Sequence, residues 1–252
     1  MPYPIIDSHC HLDFPKFNRD RHEAIERARE AGVVGMVNSG ISLKGNLMSL
    51  ELAKRYDDIH ATLGLSPDIG REGSIEEINA ILEQIEANVE KAAGIGEAGL
   101  DYKDCKTDAE KEYQAASFNK VIELAKNFEK PLVVHAREAE AEVLEMVREV
   151  DTVVYHCYSG SIETMKEIVD AGYYISLATL VCFSKHHQAL AAEVPLENLL
   201  LETDSPFLSP RKGRNEPAFI VDSVPVIAKI REIEPAEVAK AATENARRVF
   251  KI

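Results

Sequence analysis

Short apolar, β-branched runs alternate along this chain with longer segments whose apolar positions recur at helical spacing. Ile5-Ile6-Asp7 reads as a first strand. Asp20 is then expected to cap a helix, with Glu23 in the reciprocal position of a capping box and Gly32 as its stop. Val33 to Val37 predicts a second strand, Ser42 to Tyr56 a helix, and Ile59 to Leu63 a third strand. Ser74 and Glu77 form another capping box, and Ile75, Ile78, Leu82, Ile85 and Val89 line one face of the helix that follows. Ala92 to Gly96, Leu132 to Val134, Thr152 to Tyr155, Tyr173 to Leu177 and Leu199 to Leu201 complete a set of eight strands. Further helices are expected after Thr107, around Val143, Leu144 and Val147, from Ser161 to Gly172, and beyond Pro235.

Eight strand–helix units in 252 residues match the size and rhythm of a (β/α)8 TIM barrel, an α/β fold expected here as one domain over residues 1–252. The strands are short and almost wholly apolar, as strands covered on both faces should be. The competing architecture is an open doubly wound sheet, but no G-x-G-x-x-G opens the first helix. No linker or low-complexity segment marks a boundary.

Charge narrows the function classes. Lys plus Arg is 29 and Asp plus Glu is 43, a net charge of −14. That argues against a generic polyanion binder, which relies on a basic surface, but not against a nuclease whose metals supply local positive charge. No apolar run approaches the roughly 20 residues of a membrane span, and the first residues lack the pattern of a signal peptide. Cys10, Cys105, Cys157 and Cys182 form no C-x-x-C pair, which suits a reducing compartment. A cytoplasmic protein with no membrane and no obligate protein partner is expected.

The chemistry gathers at strand ends. His9 and His11 follow the first strand, and residues two apart on a strand face the same way, so both imidazoles can reach one metal. Alone, H-x-H fits two surface histidines equally well. Glu97, His135 and His156 close the fourth, fifth and sixth strands, and Asp204 stands three residues past Leu201. Barrel enzymes build their sites at that rim, so these six residues predict a metal centre. Six ligands suit two metals better than one, with Glu97 as bridge, His9, His11 and Asp204 on one ion, and His135 and His156 on the other. Asp204 could also serve as the base, so Asp204 and Glu97 are the catalytic candidates.

The segments Asp7-Ser8-His9-Cys10-His11-Leu12-Asp13, Gly96-Glu97-Ala98-Gly99-Leu100-Asp101-Tyr102, Val134-His135-Ala136-Arg137, His156-Cys157-Tyr158-Ser159-Gly160 and Leu201-Glu202-Thr203-Asp204-Ser205-Pro206 together resemble the motifs of TatD-type metal-dependent deoxyribonucleases. Arg214-Asn215-Glu216-Pro217 and Thr243-Glu244-Asn245-Ala246 fit the same pattern, and the match runs in order along essentially the whole chain. The resemblance implies a barrel of the metallo-dependent hydrolase superfamily with a divalent-metal phosphodiesterase site on the six residues above, acting on DNA. The amidohydrolase branch often bridges its metals with a carboxylated lysine on the fourth strand, where this chain has Glu97.

One position departs from the family pattern: Gly64-Leu65-Ser66-Pro67 has Ser66 where the family commonly has a histidine thought to contact substrate. Serine can donate to phosphate but carries no charge. Arg137 could fork onto a phosphate, or pair with Glu138 or Glu140. Arg211, Lys212 and Arg214 form a basic cluster expected over the rim, alternatively a solvated loop. Asp101, with Tyr102, could orient a metal-bound histidine or cap a turn. Zinc, manganese and magnesium are all compatible with this ligand set. An ester or amide hydrolase of deacylase or lactonase type, and a metal-holding protein without turnover, are the alternatives to phosphodiester hydrolysis.

Overall fold

The computed structural model describes residues 3–252. Its strands are β1 (Ile5–Cys10), β2 (Val33–Gly40), β3 (Ile59–Leu65), β4 (Gly94–Asp101), β5 (Leu132–Arg137), β6 (Val153–Tyr155), β7 (Tyr174–Leu177) and β8 (Leu199–Leu201). They pair in parallel and in sequence order, β1 through β8. The ends of β1 and β8 meet through two backbone hydrogen bonds: Asp204 donates to the His9 carbonyl at 3.0 Å, and His11 to the Ser205 carbonyl at 2.7 Å. The result is a nearly closed (β/α)8 barrel in a single domain. No helix among the described residues is long and apolar enough to cross a membrane.

Around the sheet lie α1 (Arg21–Ala31), α2 (Leu43–Arg55), α3 (Pro67–Glu72), α4 (Ile75–Asn88), α5 (Asp108–Asn127), α6 (Glu140–Met146), α7 (Ile162–Asp170), α8 (Lys185–Glu193), α9 (Ser223–Arg231) and α10 (Pro235–Phe250). Ser74, Thr107 and Ser161 cap their helices through side-chain oxygens, as their spacing predicts. Asp20 does not. It makes no cap bond and holds Arg27 and Arg214 instead, because two guanidinium partners outweigh one neutral N–H. α3, α8 and α9 have no counterpart in the sequence reading. α3 and α8 each start at a serine, Ser66 or Ser184, whose hydroxyl accepts an N–H three residues on, but their apolar stripes are too short to show a period.

The barrel interior is layered. Ile6, Val37, Val133, Val154 and Leu200 form an apolar floor with Ala246, Val249 and Phe250 of α10. Two residues further along the same strands stand Ser8, Ser39, His135, His156 and Glu202, so the interior turns polar within one pleat. β1 slips in register against β2 between Asp7 and Cys10. Ser8 and His9 therefore both find interior partners, Ser8 with the Ser176 hydroxyl at 3.0 Å and His9 Nδ1 with the Ser39 hydroxyl at 3.1 Å.

β4 is longer than its apolar run, so Glu97 sits inside the strand instead of closing it. Glycines make this possible. The pairing of β3 with β4 shifts between Leu63 and Leu65, and there Gly64 lies directly on the Glu97 backbone. A Cβ at Gly64 would overlap the Glu97 carbonyl oxygen. We expect Gly64→Ala to cost about 1–3 kcal/mol by overpacking. The check is a thermal melt showing a Tm several degrees lower, together with reduced metal content at fixed metal concentration.

Candidate metal centre

The structure brings all six predicted ligands together at the C-terminal rim. Glu97 lies at the middle and divides its two oxygens. Oε2 is 3.3 Å from His9 Nε2 and 3.4 Å from His11 Nε2. Oε1 is 3.1 Å from His135 Nδ1 and 3.3 Å from His156 Nε2. Asp204 Oδ1 stands 3.5 Å from His11 Nε2, on the first side. Each oxygen of Glu97 thus faces one pair of imidazoles. The donor atoms of His9, His11 and Asp204, and separately those of His9, Glu97 and His156, lie within 4.8 Å of one another.

These residues fit a divalent cation on their own chemistry. His9 Nε2 and His11 Nε2 approach to 3.2 Å, and His135 Nδ1 and His156 Nε2 to 3.0 Å. Such pairs of ring nitrogens set lone pair against lone pair unless a proton or a metal lies between them. Nitrogen donors with shared carboxylates suit a borderline divalent ion. The electrostatics agree. Burial works against a charged Glu97, yet the charge of His156 and hydrogen bonds from His135, His156 and His9 hold its carboxyl well below the usual range. Burial likewise opposes the imidazolium of His11, but Asp204 and Glu97 push that group up to about 9. His156 is raised well above its ordinary value against the same burial, by Glu97 and Glu202. His9, its ring stacked 4.0 Å from that of His156, is pushed down by burial first and by the charge of His156 second.

Surrounding groups aim the ligands. Asp101 Oδ2 accepts from His135 Nε2 at 3.1 Å, leaving Nδ1 toward Glu97. Tyr102 does not join it: its hydroxyl donates to Glu142 at 2.6 Å. His11 Nδ1 donates to the Ser39 carbonyl at 2.8 Å. Glu202, fully buried, faces His156 Nδ1 at 3.4 Å. Sequence reasoning passed over Ser39 and Glu202, although both stand two residues past an apolar floor position, the same offset that links Val133 to His135 and Val154 to His156. Beneath the centre, Asp7 accepts from the Thr203 backbone at 2.9 Å and from its hydroxyl at 2.6 Å, tying β1 to β8.

The expected substrate contacts fare differently. Arg137 reaches neither Glu138 nor Glu140. It touches Asp101 through one long contact of 3.4 Å and lines a cavity of about 320 Å³ with His135, His156 and Asp204. Ser66 is buried, and its hydroxyl accepts from Ile69 N–H as the cap of α3. Arg211 and Arg214 correct the expectation of a free basic loop. Arg211 grips Asp222 through two bonds of 2.7 Å, and Arg214 grips Asp20 through two of 2.7 Å. Bidentate pairs of this kind use up the planar fork that a phosphate would need. Only Lys212 of the three lies exposed without an ion-pair partner among the described residues.

A family model described as TatD related DNase matches residues 6–251. The chain belongs to the TatD family. Its relatives include the uncharacterized metal-dependent hydrolase MJ1582 of Methanocaldococcus jannaschii, 41% identical over 98% of this chain and 96% of that one. Human deoxyribonuclease TATDN3 is 33% identical, with 98% and 94% covered. Among solved structures, the TatD homologue YJJV of Escherichia coli superimposes with a TM-score of 0.89 at 29% identity, covering 98% of each chain. Like its TatD relatives, the protein is a metal-dependent hydrolase.

Two outcomes follow from this geometry. Asp101→Asn should weaken metal binding about 10–100-fold by loosening His135, read by metal titration against unchanged far-ultraviolet dichroism. Asp20, whose carboxyl Arg214 first and Arg27 next hold down at about 2 against an ordinary 3.8, stabilises the fold above the ordinary value and loses that effect as pH falls toward 2. Asp20→Asn should therefore lower Tm at neutral pH, with a deficit that shrinks as the medium is acidified below pH 4.

Proposed function

We propose that this TatD protein is a binuclear phosphodiesterase acting on DNA. The observation that carries the reading is the divided carboxylate: Glu97 offers one oxygen to His9 and His11 and the other to His135 and His156. Zinc, manganese or magnesium at these positions would lower the pKa of a water and polarise a phosphoryl oxygen. The human relative is named a deoxyribonuclease, which supports DNA as the substrate.

The chain's own residues have distinct tasks. His9, His11 and Asp204 would hold one cation and His135 and His156 the other, with Glu97 shared between them. Asp204 borders the cavity and contacts only one imidazole, so its second oxygen can take the proton of the attacking water. Arg137, half exposed and loosely tethered, keeps donors for a phosphate oxygen. Asp101 fixes the tautomer of His135, and Glu202 faces Nδ1 of His156. The four cysteines are free, which supports a cytoplasmic setting.

Hydrolysis of a carboxyl ester or amide on the same centre is favoured by one observation, the withdrawal of Arg211 and Arg214 into ion pairs. Matched panels separate the two readings. Metal-loaded protein should turn over phosphodiesters and leave carboxyl esters essentially untouched; the reverse preference sinks the proposal. Asp204→Asn should lower kcat on the phosphodiester at least about a hundredfold, the lower range of general-base contributions, at unchanged Tm. A chelator should abolish turnover, and added metal restore it.

A further inference from the structure

The loop after β6 carries a hydroxyl and an imidazole that the metal centre does not use. Ser159 lines the cavity that Arg137 and Asp204 border, and its hydroxyl lies 3.1 Å from His187 Nε2. His187 is buried in the first turn of α8, with Nδ1 2.8 Å from the hydroxyl of Ser184, the partly exposed cap of that helix. The hydrogens of this series can be assigned. Ser159 Oγ also lies 3.0 Å from the Cys157 carbonyl, which only accepts, so the Ser159 hydroxyl donates there. Its oxygen therefore accepts from His187 Nε2–H, and Nδ1 accepts from Ser184. Burial first, and the charge of His186 second, push His187 down to about 4, so at neutral pH the ring carries the single proton that this direction requires. The series is not needed to shape the loop. His186 Nε2 donates to the carbonyls of Ser159 and Gly160, each at 3.0 Å, and the Tyr158 hydroxyl donates to the Ser161 carbonyl at 2.7 Å.

We propose that Ser159, backed by His187 and Ser184, is the proton donor to the leaving oxygen of the substrate. The inference rests on the phosphodiesterase reading and adds the acid that complements Asp204 as base. Ser159 and Asp204 border one cavity, and the hydrogens of the series run from the partly exposed Ser184 toward it. When water attacks phosphorus, the bond to the leaving oxygen breaks and its electron pair stays on that oxygen. The Ser159 hydroxyl turns from the Cys157 carbonyl and gives its proton to that oxygen, and Ser159 Oγ takes the Nε2 proton of His187. Nδ1 takes the proton of Ser184, which solvent replaces, while Asp204 releases to solvent the proton it accepted from the attacking water. One proton enters as one leaves. After the product departs, water in the cavity restores the starting tautomer by the reverse path. A departing sugar alkoxide is strongly basic, so a proton delivered as the bond breaks lowers the barrier.

The test compares two phosphodiesters with metal-loaded protein: a dinucleotide, whose leaving oxygen is a sugar hydroxyl, and a nucleotide para-nitrophenyl ester, whose leaving phenolate departs without a proton. The quantity read is the ratio of kcat on the nitrophenyl ester to kcat on the dinucleotide. Ser159→Ala should raise this ratio about a hundredfold, the lower end of general-acid contributions, and Ser159→Thr, which keeps the hydroxyl, should hold it near the native value. His187→Gln should raise it as well, because an amide can hold the serine but cannot pass a proton through. A shift of the loop alone would slow both substrates together and leave the ratio unmoved. A native ratio in Ser159→Ala overturns the donor and leaves the phosphodiesterase reading standing. So does a native protein that hydrolyses the nitrophenyl ester alone. A ratio raised by Ser159→Ala but native in His187→Gln overturns the series behind the serine. A native protein that hydrolyses neither diester removes both proposals.

Discussion

Glu97 is a carboxylate buried in a barrel, and a charge in that position has to be answered within hydrogen-bond reach. Four imidazoles answer it, from three different strands, and each needs support of its own: Ser39 for His9 and His11, Asp101 for His135, Glu202 for His156. The polar layer of the interior exists to complete that chain of support. Its cost in burial is met by the apolar floor below and by the shell between sheet and helices, where Leu12, Phe17, Phe118 and their neighbours are almost wholly covered. Removing one supporting group leaves another buried and unpaired, so the centre behaves as a unit rather than as six separable ligands.

The same logic governs the positive charges outside the centre. An acidic chain surrounds its arginines with carboxylates, and those with a planar fork find them first. Arg27 and Arg214 share Asp20 and Glu216, while Arg211 takes Asp222 and stacks 4.3 Å over Phe219. These pairs hold the long segment after β8 against α1 and α9. Lysines at the rim lack such geometry and stay free, so counting basic residues in a motif misjudges where positive charge is available.

Much of this was legible beforehand. The alternation of apolar runs and helical stripes predicts the barrel, and His9, His11, Glu97, His135, His156 and Asp204 stand out as polar residues at strand ends. What the pattern hides has physical causes. The expected fourth strand stops at Gly96 because Gly99 weakens the pattern beyond it, yet both glycines let β4 pass close to β5. Glu202 hides because burial makes a carboxylate after Leu199-Leu200-Leu201 look like the end of a strand rather than a member of the centre. The engagement of Arg211 with Asp222 and of Arg214 with Asp20 depends on tertiary proximity that no local spacing encodes.

The seam between β1 and β8 has a consequence in time. Asp7 and Thr203 are separated by 196 positions in the chain, and the floor beneath them is finished by Val249 and Phe250. Contacts of such long range form late, after the nearer strand pairs. His9 and His11 are therefore synthesised well before Thr203, Asp204 and α10, which complete their surroundings. A nascent or truncated chain therefore carries histidines but no centre. The centre is complete only once β8 and α10 have closed on β1.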